Sequence, residues 1–152
     1  MAWIAGLAVL AGPAFTATKP EGVDPCALVS DAEVEKVLGH PAETVVRGRE
    51  FCTRVIDDAV LVVAAREFAS EEEARRAMAD DRRRLEVERK TVAEEAGLGR
   101  YVLRATSPNS IEYLMLDEGR ILNLAVAGGD AFEAGRYQGN MASLMRTVLS
   151  RN

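Results

Sequence analysis

The sequence predicts an α+β domain built on an antiparallel sheet with helices, in the order α-βββ-α-βββ-α, with a two-fold pseudo-repeat of its strand runs. Three observations carry this expectation. Strand-like stretches come in runs of adjacent segments with helices set apart, which favours antiparallel pairing over a doubly wound parallel sheet. Two Ser-x-x-Glu signatures, Ser30 to Glu33 and Ser70 to Glu73, mark helix starts. The chain has 152 residues, 48% of them hydrophobic and 28% charged, which suits one core. It divides into a signal-like segment over 1–17, a linker over 18–25 and a single disulfide-stapled domain over 26–152.

From Met1 to Ala17 there is no charged residue, and the chain turns polar from Lys19 onward. An apolar run of this length matches the roughly 7–15 residues of a signal-peptide core and falls short of the ~20 needed to span a bilayer. A buried N-terminal helix is the alternative. The segment lacks a basic start, and Phe15 is a poor residue three positions before a cut after Ala17. Leu10-Ala11-Gly12 resembles the start of a lipoprotein signal, but Pro13 stands where the lipidated cysteine belongs. The expectation is therefore export to the periplasm or beyond, as a protein that is soluble rather than lipid-anchored and has no integral membrane span.

Thr18 to Pro25 reads as linker because two prolines and a glycine oppose both helix and ladder. The first helix opens at the Ser30 capping box, buries Val34, Val37 and Leu38, and ends at Gly39. Thr44-Val45-Val46, Phe51 to Ile56 and Ala59 to Phe68 follow as strands, broken at Gly48 and Asp57-Asp58. The run Val60 to Ala65 is apolar on both faces, so cover is expected on each side. A second helix runs from the Ser70 box to about Lys90, with a thin stripe of Ala74, Ala77, Met78 and Leu85 and several i,i+4 ion pairs. Arg100 to Thr106, Ser110 to Asp117 and Ile121 to Ala127 form the second strand run. After Gly128-Gly129-Asp130 comes the clearest helix, with Tyr137, Met141, Leu144, Met145, Val148 and Leu149 on one face.

Two cysteines in an exported chain read as one disulfide, Cys26 with Cys52. Closing a loop of about 25 residues stabilises the fold by about 3–4 kcal/mol on chain-entropy grounds. Redox chemistry needs a low-pKa thiolate, usually in Cys-x-x-Cys or beside basic groups, and neither cysteine has that spacing.

Asp24-Pro25-Cys26-Ala-Leu28-Val-Ser30-x-x-Glu33-Val34-x-x-Val-Leu38-Gly39 resembles the opening of a family of small exported actinobacterial proteins of unknown function, many of them lipoproteins. A strand cysteine and a Gly-Leu-Gly turn follow in that family, matched here by Cys52 and by Gly97-Leu98-Gly99. This chain departs from the pattern in two ways: the lipidated cysteine is absent, and Thr53-Arg54 follows Cys52 where an aromatic residue is expected. The resemblance implies export and a disulfide, and it carries no activity and no catalytic residues.

No residue pattern points to catalysis. His40, the only histidine, stands just past a helix end, and there is no Gly-x-Ser-x-Gly elbow to pair with it. Glu71-Glu72-Glu73 lies in a first helical turn, where acidic residues suit the macrodipole, so no metal is expected. Arg82-Arg83-Arg84 reads as a solvated face among acidic neighbours. The glycine pairs lack a phosphate-loop frame, and no cofactor is expected. A net charge of -5 works against nucleic acid as a partner. What remains is the Met141, Leu144, Met145 face, which is core or else a candidate surface for a hydrophobic small ligand or an envelope protein. The expected function is an exported, non-catalytic binding or interaction domain of the cell envelope. The alternative is an envelope enzyme whose site is assembled from scattered carboxylates and arginines. A cleft of perturbed carboxyls would favour the enzyme, and an apolar groove or uncovered sheet face would favour binding.

Overall fold

The computed structural model describes residues 22–56, 58–96, 101–129 and 132–151. The signal-like segment, residues 18–21 of the expected linker, the Gly97-Leu98-Gly99 turn and Asp130 lie outside them. Pro25 closes the expected linker yet already opens a helical turn, α1 (Pro25–Leu28). Asp24 accepts a hydrogen bond from the Cys26 N–H at 2.9 Å, and Pro25 at the first helical position gives up a donor that the helix start leaves unused. The Ser30 box then starts α2 (Asp31–Leu38), with Glu33 N–H donating to Ser30 Oγ and Ser30 N–H donating to Glu33. Gly39 ends it at φ 82°, a left-handed conformation that suits glycine.

Three antiparallel strands follow, β1 (Thr44–Arg47), β2 (Phe51–Ile56) and β3 (Ala59–Glu67). Next come α3 (Glu71–Val87), β4 (Thr91–Glu94), β5 (Val102–Ser107), β6 (Ser110–Asp117) and β7 (Arg120–Gly128). A 3-10 turn over Ala134–Tyr137 leads into α4 (Gln138–Ser150). Between β6 and β7, Glu118 (φ 44°) and Gly119 (φ 83°) both take the positive φ that a tight two-residue hairpin requires.

The α+β class stands, and beyond the added turn α1 the element order needs a second correction. Among the described residues the second run has four strands, because the chain turns at Arg89 (φ 60°) and lays Thr91–Glu94 against β5. β4 escapes a pattern reading because it is short, borders the sheet and offers only Val92 and Ala93 as apolar residues. The sheet order is β1-β2-β3-β7-β6-β5-β4, antiparallel throughout. β1-β2-β3 and β5-β6-β7 are therefore two meanders meeting at β3 and β7, related by a two-fold axis between those strands. The helices break that symmetry.

Alternation along each strand sorts the core into two layers. On one face, Cys26, Val29, Val34 and Val37 from α1 and α2, with Met141, Leu144, Met145 and Val148 from α4, cover Leu61, Val63, Tyr113, Met115, Leu122 and Leu124. On the other, Ala74, Met78 and Leu85 of α3 cover Leu103, Ala105, Leu114, Leu116 and Ile121.

Candidate functional site: an open half-sheet and its polar border

Register puts Val46, Thr53, Val62, Ala125, Glu112, Ala105 and Val92 in one row across the sheet, all on the α3 face. The row is covered at one end and open at the other. α3 packs over β6 and β7 and reaches β4, so Ala105 and Glu112 are buried. Over β1, β2 and β3 no described helix lies on this face. Val46 and Phe51 are 47% and 43% exposed, and Val55, Val60, Val62 and Ala64 are half-buried. Their immediate neighbours on the opposite face, Leu61 and Val63, are fully enclosed. Among the described residues, the expected helical cover of Val60–Ala65 is thus present on one side only. The result is an apolar strip on three adjacent strands, continued by Ala125 and Ala127 of β7.

A polar border separates this strip from α3. Glu112 of β6, nearly buried, receives hydrogen bonds from Lys90 Nζ at 2.8 Å and Asn123 Nδ2 at 2.7 Å, and Arg84 Nη2 stands 3.6 Å away. Arg84 also pairs with Glu88 at 2.8 Å, and Arg66 of β3 pairs with Asp81 of α3 while lying over the Phe68 ring. A buried carboxylate with several cationic and N–H partners is compensated rather than reactive. The hydrogen bond from Arg84 is the main influence holding the Glu88 carboxyl below its ordinary value, against a small opposing effect of burial. Burial works to lower Arg84, and its bonds and charges from Glu88, Glu112 and Asp81 outweigh that and raise it. On the opposite face, burial pushes Glu33 up, but hydrogen bonds from Arg151 and Ser30 overcome it and leave the carboxyl lowered. Glu33 and Glu88 thus move away from the raised pKa that a general acid needs.

The sequence-selected residues fall elsewhere. Met141, Leu144 and Met145 are core, at 0%, 4% and 0% exposure. Leu144 alone also reaches a shallow cavity of about 110 Å³ between α2 and α4, lined with Glu33, Lys36, Val37, Asn140, Ser143 and Thr147. That is well below the roughly 300–1,000 Å³ of a ligand pocket. His40 is exposed beside Gly39. Glu73 closes the start of α3, accepting from Ala69 N–H at 3.2 Å, and Arg82, Arg83 and Arg84 are all ion-paired. Among the described residues no three His, Cys, Asp or Glu side chains converge to hold a metal ion.

Cys26 and Cys52 are bonded, with Cα atoms 5.0 Å apart. Beside them lies a residue that sequence reasoning passed over. Arg54, 2% exposed, directs Nη1 at Cys52 Sγ (3.5 Å), Nη2 at the carbonyls of Val29 (2.6 Å) and Cys26 (3.4 Å), and Nε at Asp31 (3.0 Å). The available signal was spacing, because residues two apart on a strand share a face and Arg54 therefore follows Cys52 into the core. No protein-family profile, no curated protein and no solved structure matches this chain.

Proposed function

We propose that this protein is a non-catalytic interaction domain working outside the cytoplasm at the cell envelope, and that its open half-sheet receives the apolar face of a helix from a partner protein. The observation that carries this reading is the uncovered apolar strip of Val46, Phe51, Val55, Val60, Val62 and Ala64. Three strands spaced about 4.8 Å apart give a strip roughly 10–15 Å wide. A helix is about 10–12 Å across, so one fits beside α3 and completes a layer that α3 covers only in part. A small hydrophobic ligand suits this surface less well, because ligand sites are concave and the strip is an open sheet face.

Export is supported by the uncharged apolar segment 1–17 together with the disulfide, a bond that persists in oxidising compartments. No helix among the described residues is long and apolar enough to cross a membrane. The compensated border carboxylates favour binding over the enzyme reading.

A photo-crosslinking amino acid placed at Val62 in the full-length protein tests the proposal in the native envelope, with Arg83 on the outer side of α3 as the control position. The expected result is one protein crosslinked from Val62 and not from Arg83, with the label on a helical segment of that protein. Crosslinks only to a second copy of the chain, to lipid, or equally from both positions would overturn it.

A further inference from the structure

We propose that Cys26–Cys52 is a thiol–disulfide exchange site, opened and re-closed by an external dithiol, in which Arg54 receives the departing Cys52 thiolate. It lies on the opposite face of the sheet from the open strip and stands independently of the interaction surface. A guanidinium 2% exposed is costly to desolvate unless its donors are matched to strong acceptors. Nε has the Asp31 carboxylate and Nη2 has the Val29 carbonyl, but Nη1 points at a sulfur of a neutral disulfide, 3.5 Å away. That sulfur is a weak acceptor while the bond is closed. As a thiolate it becomes a charged one, so Nη1 gains its full partner only when the bond opens.

The two sulfurs are also unequal. Both residues belong to the core, Cys52 wholly enclosed and Cys26 at 7% exposure, so the attack is placed on the less enclosed Cys26. The external thiolate attacks Cys26 Sγ, a new S–S bond forms, the Cys26–Cys52 bond breaks, and its electron pair leaves on Cys52 beside Arg54. The second thiolate of the dithiol then attacks its own sulfur in the mixed disulfide. This releases Cys26, which takes a proton from solvent. The dithiol is oxidised by two electrons, the protein disulfide is reduced, and one proton is released to water because Cys52 stays ionised. A lowered leaving-group pKa speeds the first step and stabilises the reduced form. Arg54 also binds the Val29 and Cys26 carbonyls, which holds α1 on β2 with the bond open and keeps the sulfurs in place for closure.

The test equilibrates the full chain with dithiothreitol in its reduced and oxidised forms and reads free thiols by alkylation and mass, for the wild type, Arg54→Gln and Arg54→Lys. Arg54→Gln is expected to shift the equilibrium about tenfold toward the disulfide, equivalent to about 30 mV. Arg54→Lys is expected to retain most of the wild-type value. A second measurement needs no change at Arg54: in a Cys26→Ser protein, the pH dependence of Cys52 alkylation should give a pKa below the ordinary thiol value of about 8.5. A Cys52 pKa at or above that value, or coincident equilibria for the wild type and Arg54→Gln, would overturn the proposal.

Discussion

The two halves of the sheet share a strand order and differ in what covers them. β1-β2-β3 and β5-β6-β7 are each a meander, and α1, α2 and α4 cover both on one face. On the other face β5-β6-β7 lies under α3, and among the described residues no helix covers β1-β2-β3. Topology explains the asymmetry. β3 sits beside the central strand β7 and β4 at the far border, so the helix joining them must cross the second half. Side chains agree with the path. The covered half presents Leu103, Leu114, Leu116 and Ile121, whereas the open half presents valines, Ala64 and Thr53. Phe51 apart, these smaller side chains expose less apolar area per residue than the leucines of the covered half would. A pseudo-symmetric sheet thus yields one structural half and one half available for contact.

Truncations on the same face should break the comparison most sharply. Leu114→Ala, in the covered half, is expected to cost about 2–5 kcal/mol, since it leaves a cavity under α3. Val62→Ala, in the open half, is expected to cost about 1 kcal/mol or less because its side chain is only partly buried and its truncation leaves no closed cavity. Urea denaturation of the two variants measures the difference, and equal losses would mean that the open strip is covered in the isolated protein. Next in size is removal of the disulfide by Cys26→Ser with Cys52→Ser, at about 3 kcal/mol from loop closure over a separation of 26 residues. Because the bond ties α1 to β2, amide exchange should accelerate in β1 and β2 more than in β5 and β6. Uniform acceleration would show that the halves open as one unit.

The fold was legible where pattern and punctuation agreed. The Ser30 box, the Ser70 cap, whose Glu73 reaches Ala69 N–H rather than Ser70, the Asp117 to Arg120 turn and the alternation of Leu122, Leu124 and Val126 each placed an element within a few residues. β4 was not legible, since Thr91–Glu94 is paired by register with β5 rather than by any apolar stripe of its own. The open strip was half legible. Val60–Ala65 announces a central strand apolar on both faces, but which face goes uncovered depends on where α3 lands, and a local period does not encode that. Arg54 was passed over for a related reason: composition treats an arginine as surface, and only the strand parity it shares with Cys52 places it inside. The Met141, Leu144, Met145 stripe reads alike as core or as surface until its partner elements are known.

The smallest expected effect is a pH dependence that compares the helices on the two faces. Glu33 links α2 to Arg151 at the end of α4, and Glu88 links the end of α3 to Arg84. Both carboxyls are lowered from an ordinary value of 4.5, so the folded state holds its proton less tightly than the unfolded chain does. Each therefore adds stability that is fully present above 4.5 and is lost as pH falls through the lowered folded value. Glu33→Gln and Glu88→Gln should each be less stable than the wild type at neutral pH, and the gap should close on acidification below that range. Glu33, the better enclosed of the two and held by two bonds from Arg151, should show the wider gap, and exposed Glu88 the narrower. Denaturant titrations of the three proteins at neutral and acid pH measure this. A gap for Glu33→Gln that persists unchanged into acid would show that the Glu33 charge does not supply the stability lost.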